Sequence, residues 1–179
     1  AIEDCGVTKP QLIERFGVAQ ARFDQLCVSL PRFVERIREF RRRRRIQRQL
    51  VEYSLALRED MTPTMFYSSD AFYRGIIDVA YLYDEDGAAV IDHKTGVRWP
   101  GARLGDQLDS YAVLTALSFR NVRRIWLGIH WVAEPAVEWM KPLEQHEVHG
   151  RLVPLLLDNI EAAALAVSDG PRTNPGYHC

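Results

Sequence analysis

The sequence predicts an α/β domain, a mixed central β-sheet flanked by helices with a helical segment at the N-terminus. Three observations lead there. Residues 1–50 read as helical, the period changes to two at Val51, and strand and helix patterns then alternate to the end. The 179 residues are 47% hydrophobic and 26% charged, enough apolar material for one compact core and too little charge for disorder. A net charge of −1 excludes a globally basic nucleic-acid coat. Cys5, Cys27 and Cys179 lack CxxC spacing and are odd in number, which argues against a disulfide scaffold and fits a reducing cytoplasm, that of the host if the protein is viral. No apolar run nears the roughly 18 residues of a membrane span, so a soluble protein without membrane partners is expected. The first residues carry neither an initiator Met nor a signal pattern, and the chain is expected to start inside a longer one.

The elements follow in order. Thr8 before Lys9-Pro10, and Ser29 before Pro31, mark helix starts. Phe33, Val34, Ile37 and Phe40 give the second helix a buried stripe. Arg41–Arg45 then step about 100° each around the helix and leave no apolar face. Residues 31–50 hold nine Arg and two Glu, so positive charge is concentrated in one segment. It reads either as a phosphate-tracking ridge or as a solvated helix end paired with acids such as Glu39. Tyr53–Leu57 alternates as a strand, 58–63 is a loop, Met65–Tyr67 has strand composition, and 72–94 is a hairpin turning at Asp84-Glu85-Asp86-Gly87. A glycine-bearing loop to Asp106 precedes a helix over 107–119, strands over 122–132 and 136–140, a helix over 152–167, and a Pro/Gly-rich tail.

The hairpin gathers the chemistry. With Glu85-Asp86-Gly87 as the loop and Gly87 left-handed, Asp78 opposes Lys94, and Asp92, two residues earlier, shares their face. Asp78 and Asp92 are then diagonal neighbours with Cα atoms roughly 7–8 Å apart. Two carboxylates and an ammonium among Val79, Tyr81, Val90 and Ile91 need pairing or a hard divalent cation, Mg²⁺ or Mn²⁺. The simpler alternative is a cross-strand Asp78–Lys94 salt bridge. The chain has twenty Arg but only three Lys, and keeps a Lys at position 94, where a compact ammonium suits a metal site better than a planar fork.

Gly75-Ile-Ile-Asp78, Asp92-His-Lys94-Thr-Gly96 and Gln107-Leu-Asp-Ser-Tyr111 occur in this order. Over residues 50–119 the chain resembles the PD-(D/E)XK nuclease superfamily, in its RecB-like exonuclease branch. The resemblance implies a restriction-endonuclease-like core within a single domain spanning 1–179. Its parts would be a helical segment at 1–50, a nuclease core at 51–140, and a C-terminal helix and tail at 141–179. It implies Asp78 and Asp92 as metal ligands, Lys94 as the residue that positions or activates water, and Gln107 and Tyr111 as cleft residues contacting substrate or ordering Lys94. For the last two the alternative is helix capping and packing. Glu52 stands where relatives place a supporting acid; pairing with Arg48 is its alternative. His93 is expected on the opposite face in a structural role.

The implied activity is Mg²⁺- or Mn²⁺-dependent DNA hydrolysis, an exonuclease processing ends in repair, recombination or a phage-related pathway, with any helicase or recombination partner unidentified. Candidate phosphate contacts are Arg98 and Arg103 in the loop and Arg41, Arg44 and Arg45 on the helix, with Arg123 and Arg124 further on; solvent exposure is the alternative for all of them. The alternatives to the exonuclease are a structure-selective endonuclease on the same fold and a non-catalytic DNA-binding module. Two family features are missing. No histidine precedes His93, and only Cys179 stands where some members carry three C-terminal cluster-binding cysteines, so an iron–sulfur cluster is not supported.

Overall fold

The computed structural model of the protein describes residues 9–17, 20–21, 24, 28, 30–94, 105–132 and 137–168. Helices α1 (Lys9–Phe16) and α2 (Leu30–Arg43) precede strands β1 (Ile46–Leu57), β2 (Pro63–Thr64), β3 (Tyr73–Tyr83) and β4 (Gly87–Lys94). Helix α3 (Gly105–Ser118) leads to β5 (Arg124–Trp131), β6 (Val137–Trp139) and β7 (Leu143–Glu144). The last helical stretch comprises α4 (Gln145–Glu147), a π-helical turn (Val148–Leu152) and α5 (Val153–Ser168). The strand order is β2-β1-β3-β4-β5-β6, with β7 also on β5. The sheet is mixed: β4 and β5 are parallel, the other pairs antiparallel. A parallel neighbour requires a crossover, and α3 supplies it.

Several boundaries differ from the sequence expectation. Helix α2 ends at Arg43 and β1 begins at Ile46, inside the segment expected to be helical. The β1–β3 ladder explains this, because it runs from Ile46↔Tyr83 to Leu57↔Tyr73 and gives the backbone of residues 46–50 partners across the sheet in place of a continued helix. Met65–Tyr67 is not a strand; Met65 and Tyr67 are exposed and have no face to bury. The closing helix begins at Gln145, where the Glu147 carboxylate accepts from the Glu144 N–H at 2.8 Å in a capping box. The widened turn that precedes Pro154 accommodates a ring that cannot donate to the helix.

Two apolar layers enclose the sheet. Leu108, Tyr111 and Leu114 of α3, with Val148 and Leu152, pack on Leu57, Ile77, Val90 and Ile129. On the other face Ile37 and Phe40 of α2 pack on Tyr81, Tyr83, Ala89 and Ile91. No helix among the described residues is long and apolar enough to cross a membrane.

The hairpin register is also corrected. Tyr83 pairs with Gly87 and Val79 with Ile91, so the loop is Asp84-Glu85-Asp86 and Asp78 falls opposite Asp92 rather than Lys94. Asp84 takes the left-handed conformation (φ 53°) that had been expected of Gly87. Gly87 is needed for space instead, since a Cβ there would collide with the Tyr83 ring.

Candidate active site

The site lies on the α3 face, at the end of the hairpin away from its turn. Strands β1 and β3 switch faces here together. In β1, Leu50 and then Tyr53, Leu55 and Leu57 all reach the α3-side core; in β3, Ile77 and then Ala80 and Leu82 do so. Strict alternation is broken between those positions, at Val51–Glu52 and Asp78–Val79. Register is kept across the break, Val51↔Val79 and Tyr53↔Ile77, so Glu52 stands opposite Asp78. Glu52 adopts φ 47°, a left-handed conformation that costs a non-glycine residue roughly 1–2 kcal/mol. Such strain concentrates at functional sites. Glu52, Asp78 and Asp92 therefore occupy one row across three neighbouring strands.

The β3–β4 ladder stops at Val79↔Ile91. One residue further, the Asp78 carboxylate takes over: its Oδ2 accepts the His93 backbone N–H at 2.7 Å. Asp92 is 2% exposed, and its Oδ2 is 2.9 Å from Lys94 Nζ. This is an ion pair without hydrogen-bond alignment, because the same oxygen has no directed donor. The ammonium thus pairs with Asp92 on its own strand, not across to Asp78. Lys94 Nζ donates to Gln107 Oε1 at 2.6 Å, and Gln107 Nε2 donates to the Tyr111 hydroxyl at 2.8 Å. The i, i+4 spacing on α3 aligns the last two residues, and the chain Asp92–Lys94–Gln107–Tyr111 joins the second and third sequence motifs.

Burial raises the Tyr111 pKa above its ordinary value; the Gln107 hydrogen bond opposes this, and the Asp92, Asp78 and Glu52 charges add to it. Tyr111 accepts from Gln107, which leaves its own proton to donate. Asp78, Asp92 and Glu52 are hard oxygen donors of the kind that Mg²⁺ and Mn²⁺ take. Among the described residues, no group of three His, Cys, Asp or Glu side chains is drawn together closely enough to hold a metal ion as it stands. Arg48 does not pair with Glu52. On a strand the two are not helical neighbours, and the guanidinium lies over the rings of Tyr53 and Phe119 at 5.9 and 5.8 Å.

The arginine run is elsewhere. Arg44 binds Asp84 Oδ2 at 2.9 Å, the Arg45 N–H donates to Asp84 Oδ1 at 3.1 Å, and Arg43 pairs with Glu39 at 2.5 Å. The end of α2 is thus fastened to the hairpin turn, six residues of strand or about 20 Å from Asp78, and on the other sheet face. Arg41, Arg44 and Arg45 are not brought to the acidic row. Arg98 and Arg103 lie outside the described residues. Arg124 pairs with Glu144 at 2.7 Å.

His93 faces away from Asp92 and Lys94, as expected. Sequence reasoning missed its partner. His130 sits beside it in the parallel register, their Nδ1 atoms 2.9 Å apart, and Phe33 stacks on His130 at 3.8 Å. Burial lowers the His93 pKa, against the opposing pull of Asp78, Asp92 and Glu52. The cluster anchors the backbone whose N–H holds Asp78. A signal was present, since each histidine interrupts an apolar strand. No protein-family model matches the chain, and no curated protein matches it either.

Proposed function

We propose that the protein is a metal-dependent deoxyribonuclease with a restriction-endonuclease-like core, of the RecB-like exonuclease type, hydrolysing phosphodiester bonds at DNA ends. The observation that carries this reading is the chain of contacts from buried Asp92, through its ion pair with Lys94 and the hydrogen bonds of Lys94 to Gln107 and of Gln107 to Tyr111, set beside Asp78 and Glu52. Three residue groups picked from separate sequence motifs meet there, on a hairpin followed by a helical crossover. Asp78 and Asp92, with Glu52 at the end of the row, would hold Mg²⁺ or Mn²⁺, which supplies charge neutralisation at the phosphate and a more acidic water.

The remaining work falls to the chain's own groups. Lys94, held between Asp92 and Gln107, has a further ammonium proton with which it would orient water or a phosphate oxygen. The amide of Gln107 has its oxygen engaged by Lys94 and its nitrogen by Tyr111, so it fixes both. Tyr111 can donate its hydroxyl proton to a phosphate oxygen.

The test is cleavage of end-labelled linear DNA and closed circles in Mg²⁺, Mn²⁺ or EDTA, with Asp92→Ala as control. Metal-dependent loss of linear DNA alone is expected. Cutting of circles replaces the exonuclease by an endonuclease, and activity that survives Asp92→Ala overturns the site.

A further inference from the structure

A cleft of about 370 Å³ opens on the α2 face, opposite the acidic row. Its floor is Tyr81, Ala89 and Ile91; Ile37 and Phe40 form one wall, Trp126 and Trp139 the other. The volume is within the range of about 300–1,000 Å³ typical of ligand sites. Trp139 is 43% exposed. It lies over Gly128, where a Cβ would come within 2.9 Å of its Cε3, so the missing side chain seats the indole on the strand. Trp126 meets it edge-on at 6.4 Å.

The lining also includes Arg36, Arg43 and Arg44 against a single carboxylate, Glu39. Arg36 and Arg43 are seven residues apart, two helical turns, and share one side of α2. Arg43 is held by Glu39 and Arg44 by Asp84, whereas Arg36 has no hydrogen-bond or ion-pair partner among the described residues.

We propose that this cleft binds one nucleotide unit of single-stranded DNA, its base against Trp139 and its phosphate on Arg36. An apolar partner leaves the guanidinium uncompensated, and a simple anion has no use for the indole. A base joined to a phosphate uses both. Stacking accepts any base, and a planar fork matches phosphate oxygens, so the contact is independent of sequence. This rests on the reading of the chain as a DNA enzyme, to which it adds a second hold on the strand.

The experiment measures fluorescein-labelled dT12 binding to the full chain by anisotropy in EDTA, in an Asp92→Asn background that prevents cleavage. Trp139→Ala is expected to weaken binding about tenfold, Trp139→Phe much less. Arg36→Ala is expected to weaken it and to reduce the salt slope by about one. Unlabelled dT12 should quench tryptophan fluorescence, less so after Trp139→Ala, and an abasic strand should bind more weakly. Unchanged affinity in Trp139→Ala and Arg36→Ala overturns the proposal. So does equal binding of the abasic strand, or a quench produced by a Glu- and Phe-rich peptide and not by dT12. Cleavage by the unsubstituted chain is scored separately. A chain that cleaves but binds dT12 regardless of Trp139 loses the cleft and keeps the nuclease; one that binds through Trp139 and Arg36 without cleaving does the reverse.

Discussion

Lys94 and Gln107 are thirteen positions apart, on a strand and the helix that follows it, and their side chains meet at 2.6 Å. The contact ties the hairpin to the crossover helix at the point where Asp92 is most buried. Gln107 is polar on both sides, so it links an ammonium to a phenol. Replacing it with alanine should lower kcat about tenfold to a hundredfold with a smaller change in KM, because Lys94 keeps its charge and loses its direction. A Gln107→Ala enzyme whose loss is entirely in KM would make the residue a substrate anchor.

Asp92→Asn retains the shape of the buried side chain and removes its charge. Cleavage is expected to fall on the order of a hundred- to a thousandfold, with far-UV circular dichroism unchanged. Normal turnover in a folded Asp92→Asn protein would remove Asp92 from the chemistry.

The Tyr111 hydroxyl stays protonated well past neutral pH, since burial and three carboxylates raise its pKa. Its proton is therefore equally available at pH 6 and pH 9. Tyr111→Phe should cost the same factor in kcat at both, giving parallel pH–rate profiles. Convergence of the two profiles at alkaline pH would show the hydroxyl titrating in the wild type.

Much of this site was legible in the sequence, for a physical reason. A charged residue every second position in an apolar hairpin selects one face, so Asp92 and Lys94 emerge together without coordinates. Asp78 was placed correctly near them and in the wrong register, because Asp84 and Gly87 are both able to supply a left-handed turn residue and only packing against Tyr83 decides between them. The switch of faces at Glu52 was invisible, since it depends on two strands breaking alternation at paired positions. The start of β1 was masked because Ile46-Gln-Arg-Gln-Leu50 follows the helical arginines directly and its mostly polar residues continue a helix as readily as they enter a solvated strand. The remoteness of Arg41–Arg45 from the acids follows from topology alone, which puts α2 and α3 on opposite faces.

Gly87→Ala tests the register. A methyl group there falls on the Tyr83 ring, which is itself packed edge-on against Phe40 at 5.3 Å and has Arg44 5.4 Å from its centre. Overpacking of this kind costs about 1–3 kcal/mol, read as a lower urea midpoint at unchanged m. A neutral Gly87→Ala would mean that the turn closes differently.

Acid stability should depend on Asp70. Its carboxyl is held at about 2 by the Ser68 hydrogen bond, then by Arg58 and Thr64, against 3.8 ordinarily. The Arg58 contact is 2.6 Å and the Thr64 hydroxyl donates at 2.9 Å. A carboxyl whose folded pKa is depressed stabilises the fold fully above its unfolded value. That contribution fades as pH falls from about 4 through 2, the folded carboxyl being half protonated at its own pKa, and is gone only below it, where both states are protonated. Asp70→Asn should therefore lower the melting temperature at pH 6 and change it little at pH 2, so that the two melting curves approach each other across this window. A difference that stays constant from pH 6 to pH 2 would assign the effect to packing of the 58–73 segment rather than to the charge.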